Sequence, residues 1–261
     1  MIDPSTCKPN PAIRRSSGKR VFDLVGAVVA LLLTLPLLVA ALVAVWVLDR
    51  QSPIFVSERV GANGHRFRFF KIRTMVPNAH TTAVDTTIVG DPRITAVGKW
   101  IRAWKLDELP QFFHVITGQM SLVGPRPNVP REVALYTPTE QKLLAVQPGI
   151  TDIASIVFAD LAATLANAPD ANIAYNQLVR PWKSRLGLHY VYRHTLSLDA
   201  KLVGYTVSAM FARQWTLRRL SSELRKTGAP DELCRFVLRT TPLAPLPPPG
   251  SNVIVTSRRR E

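Results

Sequence analysis

Between residues 24 and 48 no charged side chain occurs, and apolar residues run round every helical face. About 25 helical residues reach roughly 37 Å, enough for a bilayer core. Pro36 sits at the middle of the run, where it removes the hydrogen bond to the Leu32 carbonyl and predicts a bend. Basic residues flank both ends, with Arg14, Arg15, Lys19 and Arg20 before the run and Arg50, Arg59, Arg66, Arg68, Lys71 and Arg73 after it. The positive-inside rule cannot orient a straight span with such flanks, whereas a helix that bends at Pro36 and leaves by the face it entered satisfies both. A re-entrant membrane helix over 19–50 is therefore expected, ahead of a straight span and of a buried core helix. A cleaved signal peptide fits poorly, because the run is too long and no small-residue cleavage site follows it.

Beyond Asp49, residues 53–56 read as a short strand and 61–64 as a turn. Residues 66–73 alternate basic and apolar side chains, imperfectly, as a half-buried strand does. The threonine-bearing stretch 76–90 has no apolar period and reads as a mobile loop. Asp91-Pro92 is expected to open a helix whose Val97, Trp100, Ile101 and Trp104 form one apolar stripe. Further helices are expected over 131–142, 181–193 and 198–219, with 153–180 weakly patterned. The last has an apolar face and ends in Arg213, Arg218 and Arg219, so it suits an anionic membrane surface as well as ordinary packing. The proline-rich stretch 242–249 and the arginine-rich end predict disorder. The fold class is α+β, mainly helical, with a membrane-inserted N-terminal helix, a small β element and amphipathic interfacial helices. The domains are a basic tail over 1–18, the membrane anchor over 19–50, a cytoplasmic catalytic domain over 51–215 and a basic, proline-rich tail over 216–261.

Composition sharpens the choice of partner. The 261 residues, 47% hydrophobic, can bury a core, and 33 Lys and Arg against 18 Asp and Glu give a formal charge of +15. That excess favours anionic partners: nucleic acid, acidic headgroups or phosphorylated substrates. Nucleic acid is not expected, since no binding motif accompanies the charge. The two cysteines, Cys7 and Cys234, lie in expected tails without metal spacing, which fits a reducing, cytosol-facing compartment.

Residues 106–127 hold the candidate chemistry. Asp107 suits an N-cap, Glu108 and Pro110 a first helical turn, and Gly118 a C-terminal stop. Capping alone explains Asp107, yet a carboxylate at a helix start is also placed to stay ionised beside phosphate, as a nucleophile must. Two adjacent carboxylates approach a diphosphate only with a cation between, which implies Mg²⁺. Arg126, between Pro125 and Pro127, is either a surface side chain or a preorganised clamp for phosphoryl charge.

Six stretches together carry a resemblance: 19–23 (KRVFD), 70–75 (FKIRTM), 91–95 (DPRIT), 106–111 (LDELPQ), 120–127 (MSLVGPRP) and 148–151 (PGIT). Over about residues 19–210 the chain resembles the bacterial sugar transferases of the monotopic phosphoglycosyl transferase family, the polyprenyl-phosphate hexose-1-phosphate transferases of glycan and exopolysaccharide assembly. The resemblance implies a two-step exchange on the cytoplasmic face of the bacterial inner membrane. Asp107 would attack the β-phosphate of a nucleotide sugar, such as a UDP-hexose, and polyprenyl phosphate would then take the phosphosugar. Glu108 would hold Mg²⁺ or assist the acceptor as a base. Arg102 and Arg126 match phosphate-binding positions, Lys71 and Arg73 a basic strand beside the site, and Pro36 the bend of the anchor. Implied partners are the donor, the polyprenyl phosphate, inner-membrane lipid and glycan-assembly proteins. Departures from the family pattern fall at Leu35, His114, Gln119, Gln147, Asp152-Ile153, 156–159 and Gly187, several of them expected to shape the donor pocket. They motivate an alternative reading, a catalytically silent scaffold in a glycan-assembly complex.

Overall fold

A computed structural model describes residues 16–77, 79 and 90–257. The first fifteen residues, most of the expected mobile loop and the final arginine run lie outside the described residues.

Helix α1 spans Ser17–Ala44, capped by the Ser16 hydroxyl, which accepts from the Lys19 amide at 3.1 Å. It continues as a π-helical turn, Val45–Asp49, and ends at Arg50 in the left-handed region. Together these form a 33-residue helix, long and apolar enough to cross a membrane. Leu32 and Leu33 at its middle are 65% and 75% exposed, so it is not a buried core helix. Pro36 lies inside α1 without ending it, and the Thr34 hydroxyl donates to the Ala30 carbonyl at 2.7 Å.

Both ends of α1 dock on the same body. At the first end Ala27 is buried, and Gly26 approaches Leu122 so closely that a Cβ would lie 2.5 Å from its Cδ1. At the second, Leu38, Ala41 and Val45 join Ile72 and Ile101 in a separate apolar cluster. A polar network fixes the first contact. Lys19 reaches Asp23 at 3.1 Å and the fully buried Asp199 at 2.8 Å. Asp23 accepts from the Ser121 hydroxyl and the Leu122 amide, Tyr190 donates to Asp199, and Arg20 donates to the Val115 and Ile116 carbonyls.

After α1 comes an antiparallel hairpin, β1 (Ile54–Val60) and β2 (Arg66–Ile72), in register Ile54 with Ile72 and Val60 with Arg66. Helix α2, Ala96–Ala103, starts later than expected because Thr95, not Asp91, caps it, its hydroxyl accepting from Gly98. Asp91 is instead held by Arg93 in the preceding turn. The expected stripe of α2 also divides: Ile101 is buried, while Trp100 and Trp104 are exposed. A 3₁₀ turn, Leu106–Glu108, and helix α3, Gln111–Ile116, lead to β3, Ser121–Val123, which pairs in parallel with β4, Gly149–Thr151. The helix expected over 131–142 is replaced by a short α4, Pro130–Val133, and a 3₁₀ segment, Glu140–Ala145. Glu140 is fully buried there, and its carboxylate binds Arg180 and Ser184.

Three short helices, α5 (Ile153–Val157), α6 (Leu161–Thr164) and α7 (Ala171–Ala174), precede α8, Arg180–Arg193. The helix expected over 198–219 is two: α9, Leu196–Ser208, and α10, Arg213–Lys226. The break at 209–212 turns the chain back, so that Leu217, Leu220 and Leu224 share the main core with Leu202. Helix α11, Asp231–Val237, adds Leu233, Cys234 and Val237 to that core. The boundary expected at 215 thus falls inside a packed helix, and Cys234 is buried in the core rather than in a tail.

His189 on α8 shares a hydrogen bond with the Thr227 hydroxyl at 2.8 Å. Burial, with Arg193 adding to it, lowers its pKa to about 4. The folded value lies below the unfolded value of about 6.5, so the stabilisation is complete above pH 6.5 and lost as pH falls towards 4. At about pH 5 this residue alone is expected to cost about 2 kcal/mol. Melting curves at about pH 7.5 and about pH 5 test this: His189→Gln should flatten the pH dependence, and an unchanged slope would refute it.

Candidate active site

Leu106 and Leu109 flank the acid pair and pack with Leu38, Ala41, Val45, Ile72 and Ile101. The carboxylates are thereby pinned between β2 and the second half of α1. The chain reaches this position through Lys105, a non-glycine residue in the left-handed region at φ 54°. That turn separates α2 from the 3₁₀ turn, and it corrects the capping expectation. Asp107 lies inside its own short turn, Pro110 occupies the N-cap position of α3, and no side chain caps that helix. The Asp107 carboxylate faces β2 instead, with Lys71 Nζ 3.5 Å from its Oδ2.

Lys71 also lies 3.6 Å from Glu108, and Arg126 grips Glu108 at two points, 2.5 Å to Oε1 and 3.2 Å to Oε2. Burial would raise the Glu108 carboxyl, but Arg126 and Lys71 overcome it and hold it at about 2. Burial lowers Lys71 in spite of both carboxylates. Arg126 owes its place to the β3–β4 pair: its Nη1 donates to the Ile150 carbonyl at 3.1 Å and its amide to Asp152 at 3.3 Å. The strands meet closely only because glycines stand on both sides. A Cβ on Gly149 would lie 2.1 Å from the Gly124 nitrogen.

The structure thus brings Lys71, Asp107, Glu108 and Arg126 into one cluster of two cations and two carboxylates. Arg73 is turned to the Ser52 carbonyl at 2.8 Å, and Arg102 donates to the Thr74 hydroxyl at 3.4 Å. His114 and Gln119 are not among the residues that line a cavity of about 1090 Å³ beside Arg126. His114 is buried, its Nε2 accepts from the Phe70 amide, and Nδ1 donates to Gln119 Oε1 at 2.8 Å. These two departures from the family pattern brace each other behind β2. Sequence reasoning missed Lys105, since nothing in its type signals positive φ. Asp152 and Gly187, two of the departures expected to shape a pocket, line the cavity that borders Arg126, together with Tyr175 and Lys183, which the sequence did not single out.

Among the described residues no group of three or more His, Cys, Asp or Glu side chains is placed to hold a metal. Asp107 and Glu108 offer one or two carboxylates, the share a protein gives Mg²⁺ when substrate phosphates and water complete its coordination. The residues fit an ion that arrives with a phosphorylated substrate rather than a resident metal cage. A diphosphate entering the balanced cluster would compete with Glu108 for Arg126, freeing that carboxylate.

Residues 14–213 match the family described as bacterial sugar transferase. An undecaprenyl-phosphate glucose phosphotransferase of Komagataeibacter xylinus is 35% identical over 196 residues, covering 72% of this chain and 35% of the relative. A UDP-glucose:undecaprenyl-phosphate glucose-1-phosphate transferase of Klebsiella pneumoniae is 33% identical over 178 residues, 67% of this chain and 38% of the relative. The exopolysaccharide production protein ExoY of Rhizobium meliloti is 38% identical over 159 residues, 54% of this chain and 70% of the relative. The chain spans about a third of the length of several larger curated relatives it matches.

Left-handed backbone costs a non-glycine residue about 1–2 kcal/mol, which a β-branched side chain makes worse. Lys105→Val is expected to lower stability by about 1–2 kcal/mol, and Lys105→Gly to change it by less than about 0.5 kcal/mol. Chemical denaturation of the two variants checks the order, and equal losses would show that the turn carries no strain.

Proposed function

The chain belongs to the bacterial sugar transferase family, and from that premise we propose that it transfers a sugar-1-phosphate from a nucleotide sugar to a polyprenyl phosphate, beginning a glycan or exopolysaccharide. The observation that carries the reading is the cluster in which Asp107 faces Lys71 while Arg126 holds the neighbouring Glu108. It supports the following exchange. An Asp107 oxygen attacks the β-phosphorus of the donor, the bond from that phosphorus to the bridging oxygen breaks, and the nucleoside monophosphate leaves with the electron pair. A polyprenyl phosphate oxygen then attacks the same phosphorus and returns the Asp107 carboxylate. Lys71 and Arg126 offset the charge on the transferred phosphoryl oxygens. Glu108, held at about 2, is a poor base while Arg126 grips it. Its role in this scheme is to hold Mg²⁺ once Arg126 turns to phosphate. When bound, the ion supplies charge neutralisation between carboxylate and diphosphate. Arg102 and Arg73 are assigned to phosphate approaching over β2 and α2.

The donor is assigned as a UDP-sugar and the acceptor as undecaprenyl phosphate, from what the relatives' names say those proteins use. The proposed setting is the cytoplasmic face of the inner membrane, with α1 re-entrant, bent near Pro36, and the exposed Trp100 and Trp104 in the headgroup layer. Glycan-assembly proteins are the proposed protein partners. The scaffold alternative gains nothing from His114 and Gln119, whose mutual hydrogen bond leaves the four-group cluster in place.

Release of UMP from a UDP-sugar panel, with Mg²⁺ and polyprenyl phosphate, tests the chemistry on the full-length protein. Asp107→Asn should lose on the order of 10³-fold or more in rate, as removal of a nucleophile does. No release by the wild type with any donor would favour the scaffold. For topology, Cys7 and a Ser52→Cys variant should both resist impermeant thiol reagents in intact cells and react after permeabilisation. Labelling on one side alone would establish a straight span.

A further inference from the structure

The cavity beyond Arg126 has a wall that the family match does not reach. The match ends at residue 213, yet residues 251 and 253–257 line the same cavity as Lys183 and Asp152. This stretch lies beyond the proline-rich segment for which disorder is expected, and specific contacts hold both. The Thr137 hydroxyl donates to the Pro249 carbonyl at 2.5 Å, and the Gln177 side-chain amide donates to the Val255 carbonyl at 2.6 Å. The Gln177 carbonyl in turn accepts from the Leu246 amide at 3.0 Å. Gly250 adopts φ +80°, and a Cβ there would lie 2.4 Å from the Thr139 hydroxyl oxygen. The chain can therefore pass Thr139 only as glycine. About 1090 Å³ remains open with the segment in place, so it acts as a wall and not as a plug.

The chemistry of the cavity selects its occupant. Its lining includes Arg126, which also touches Glu108, and Lys183, which makes no ion pair among the described residues and lies 5.2 Å over the Tyr175 ring. Two cations lining one cavity, one of them reaching the acid pair, suit a diphosphate. The C-terminal segment adds the uncharged hydroxyls of Ser251, Thr256 and Ser257 to a lining that also holds Arg131, Glu132 and Arg180. The uncharged groups suit hydroxyls and a heterocycle, and the space is at the upper end for a cofactor-sized ligand.

We propose that residues 251–257 form the outer wall of the nucleotide-sugar site, making this C-terminal segment a donor-binding and specificity-determining element. The proposal rests on the donor being a nucleoside diphosphate sugar. The donor lies with its diphosphate between Arg126 and Lys183 and its uncharged part against the segment.

Hydrogen exchange of the full-length protein, with and without UDP and a UDP-sugar, reads the contact directly. Amides of 251–257 should be slowed by ligand. Thr256 is exposed, so Thr256→Glu adds charge on the wall without disturbing packing. It should weaken binding of the UDP-sugar by about tenfold, the scale of one unfavourable contact, and lower kcat/KM through KM. Gly250→Val, which shifts the segment at Thr139, should weaken binding similarly and change the ranking of a UDP-sugar panel. An effect on UDP equal to that on UDP-sugars assigns the wall to the nucleoside, and an effect on UDP-sugars alone assigns it to the sugar. Absence of protection of 251–257 by both UDP and the UDP-sugar, unchanged affinity of Thr256→Glu for both, or no binding of either by the wild type would each overturn the proposal. UDP binding with protection but no UMP release would leave the proposal standing and overturn the transferase reading.

Discussion

The buried contact of Lys19 with Asp23 and Asp199 is the constraint on which the rest of the molecule depends. Removing such charges from water costs several kcal/mol per ion, and the cost is offset only where every oxygen finds a donor. Here Ser121 and Leu122 donate to Asp23 Oδ1, Tyr190 donates to Asp199 Oδ1 and Lys19 pairs with Asp199 Oδ2, so one network joins α1 to β3, α8 and α9. Loss of a single partner would strand a buried charge, a penalty of about 3–5 kcal/mol. Because β3 leads directly into Pro125 and Arg126, the network that seats the apolar helix also sets the position of the arginine at the acid pair.

The two clusters that grip α1 serve different halves of the site. The first, through β3 and β4, places Arg126, with Gly124 and Gly149 permitting the strands' approach. The second, around Ile72 and Ile101, places β2 with Lys71 and the 3₁₀ turn with Asp107 and Glu108. Cations and carboxylates thus arrive from separate parts of the chain and meet beside one helix. The left-handed backbone at Lys105 is the local cost of that meeting.

The sequence made some of this legible. By residue type Asp107 read equally as a cap, Arg126 as a surface side chain and Lys71 as part of a strand face, and it was the set of six matching stretches that singled them out together with Glu108. Strand β2 followed from alternation and α8 from its breaker at Pro181, whereas β1 runs beyond the expected 53–56 to Val60. Conformation at single residues was not legible: Lys105 has no Cβ feature that announces positive φ, and so Asp107 read as a cap. The break between α9 and α10 was hidden because apolar positions continue through 209–211 and only the return of Leu217 to the core reveals the turn. The C-terminal segment escaped because proline-rich chain without a period can be held by isolated side-chain bonds, here from Thr137 and Gln177. His114 and Gln119 looked like two separate departures until their shared hydrogen bond made them one.

The docking of α1 at both ends has a mechanical consequence. A helix joined to its domain at one end swings on a linker, and the domain samples a range of heights and tilts. Here Ala27 and Val45 are both buried against the same body while Leu32 and Leu33 between them stand clear of it. Whatever apolar medium receives that exposed middle, the domain is registered to it as a rigid body, without a hinge. The acid pair then keeps a single elevation and a single azimuth, and a ligand held in that medium meets the same face of the site at every encounter.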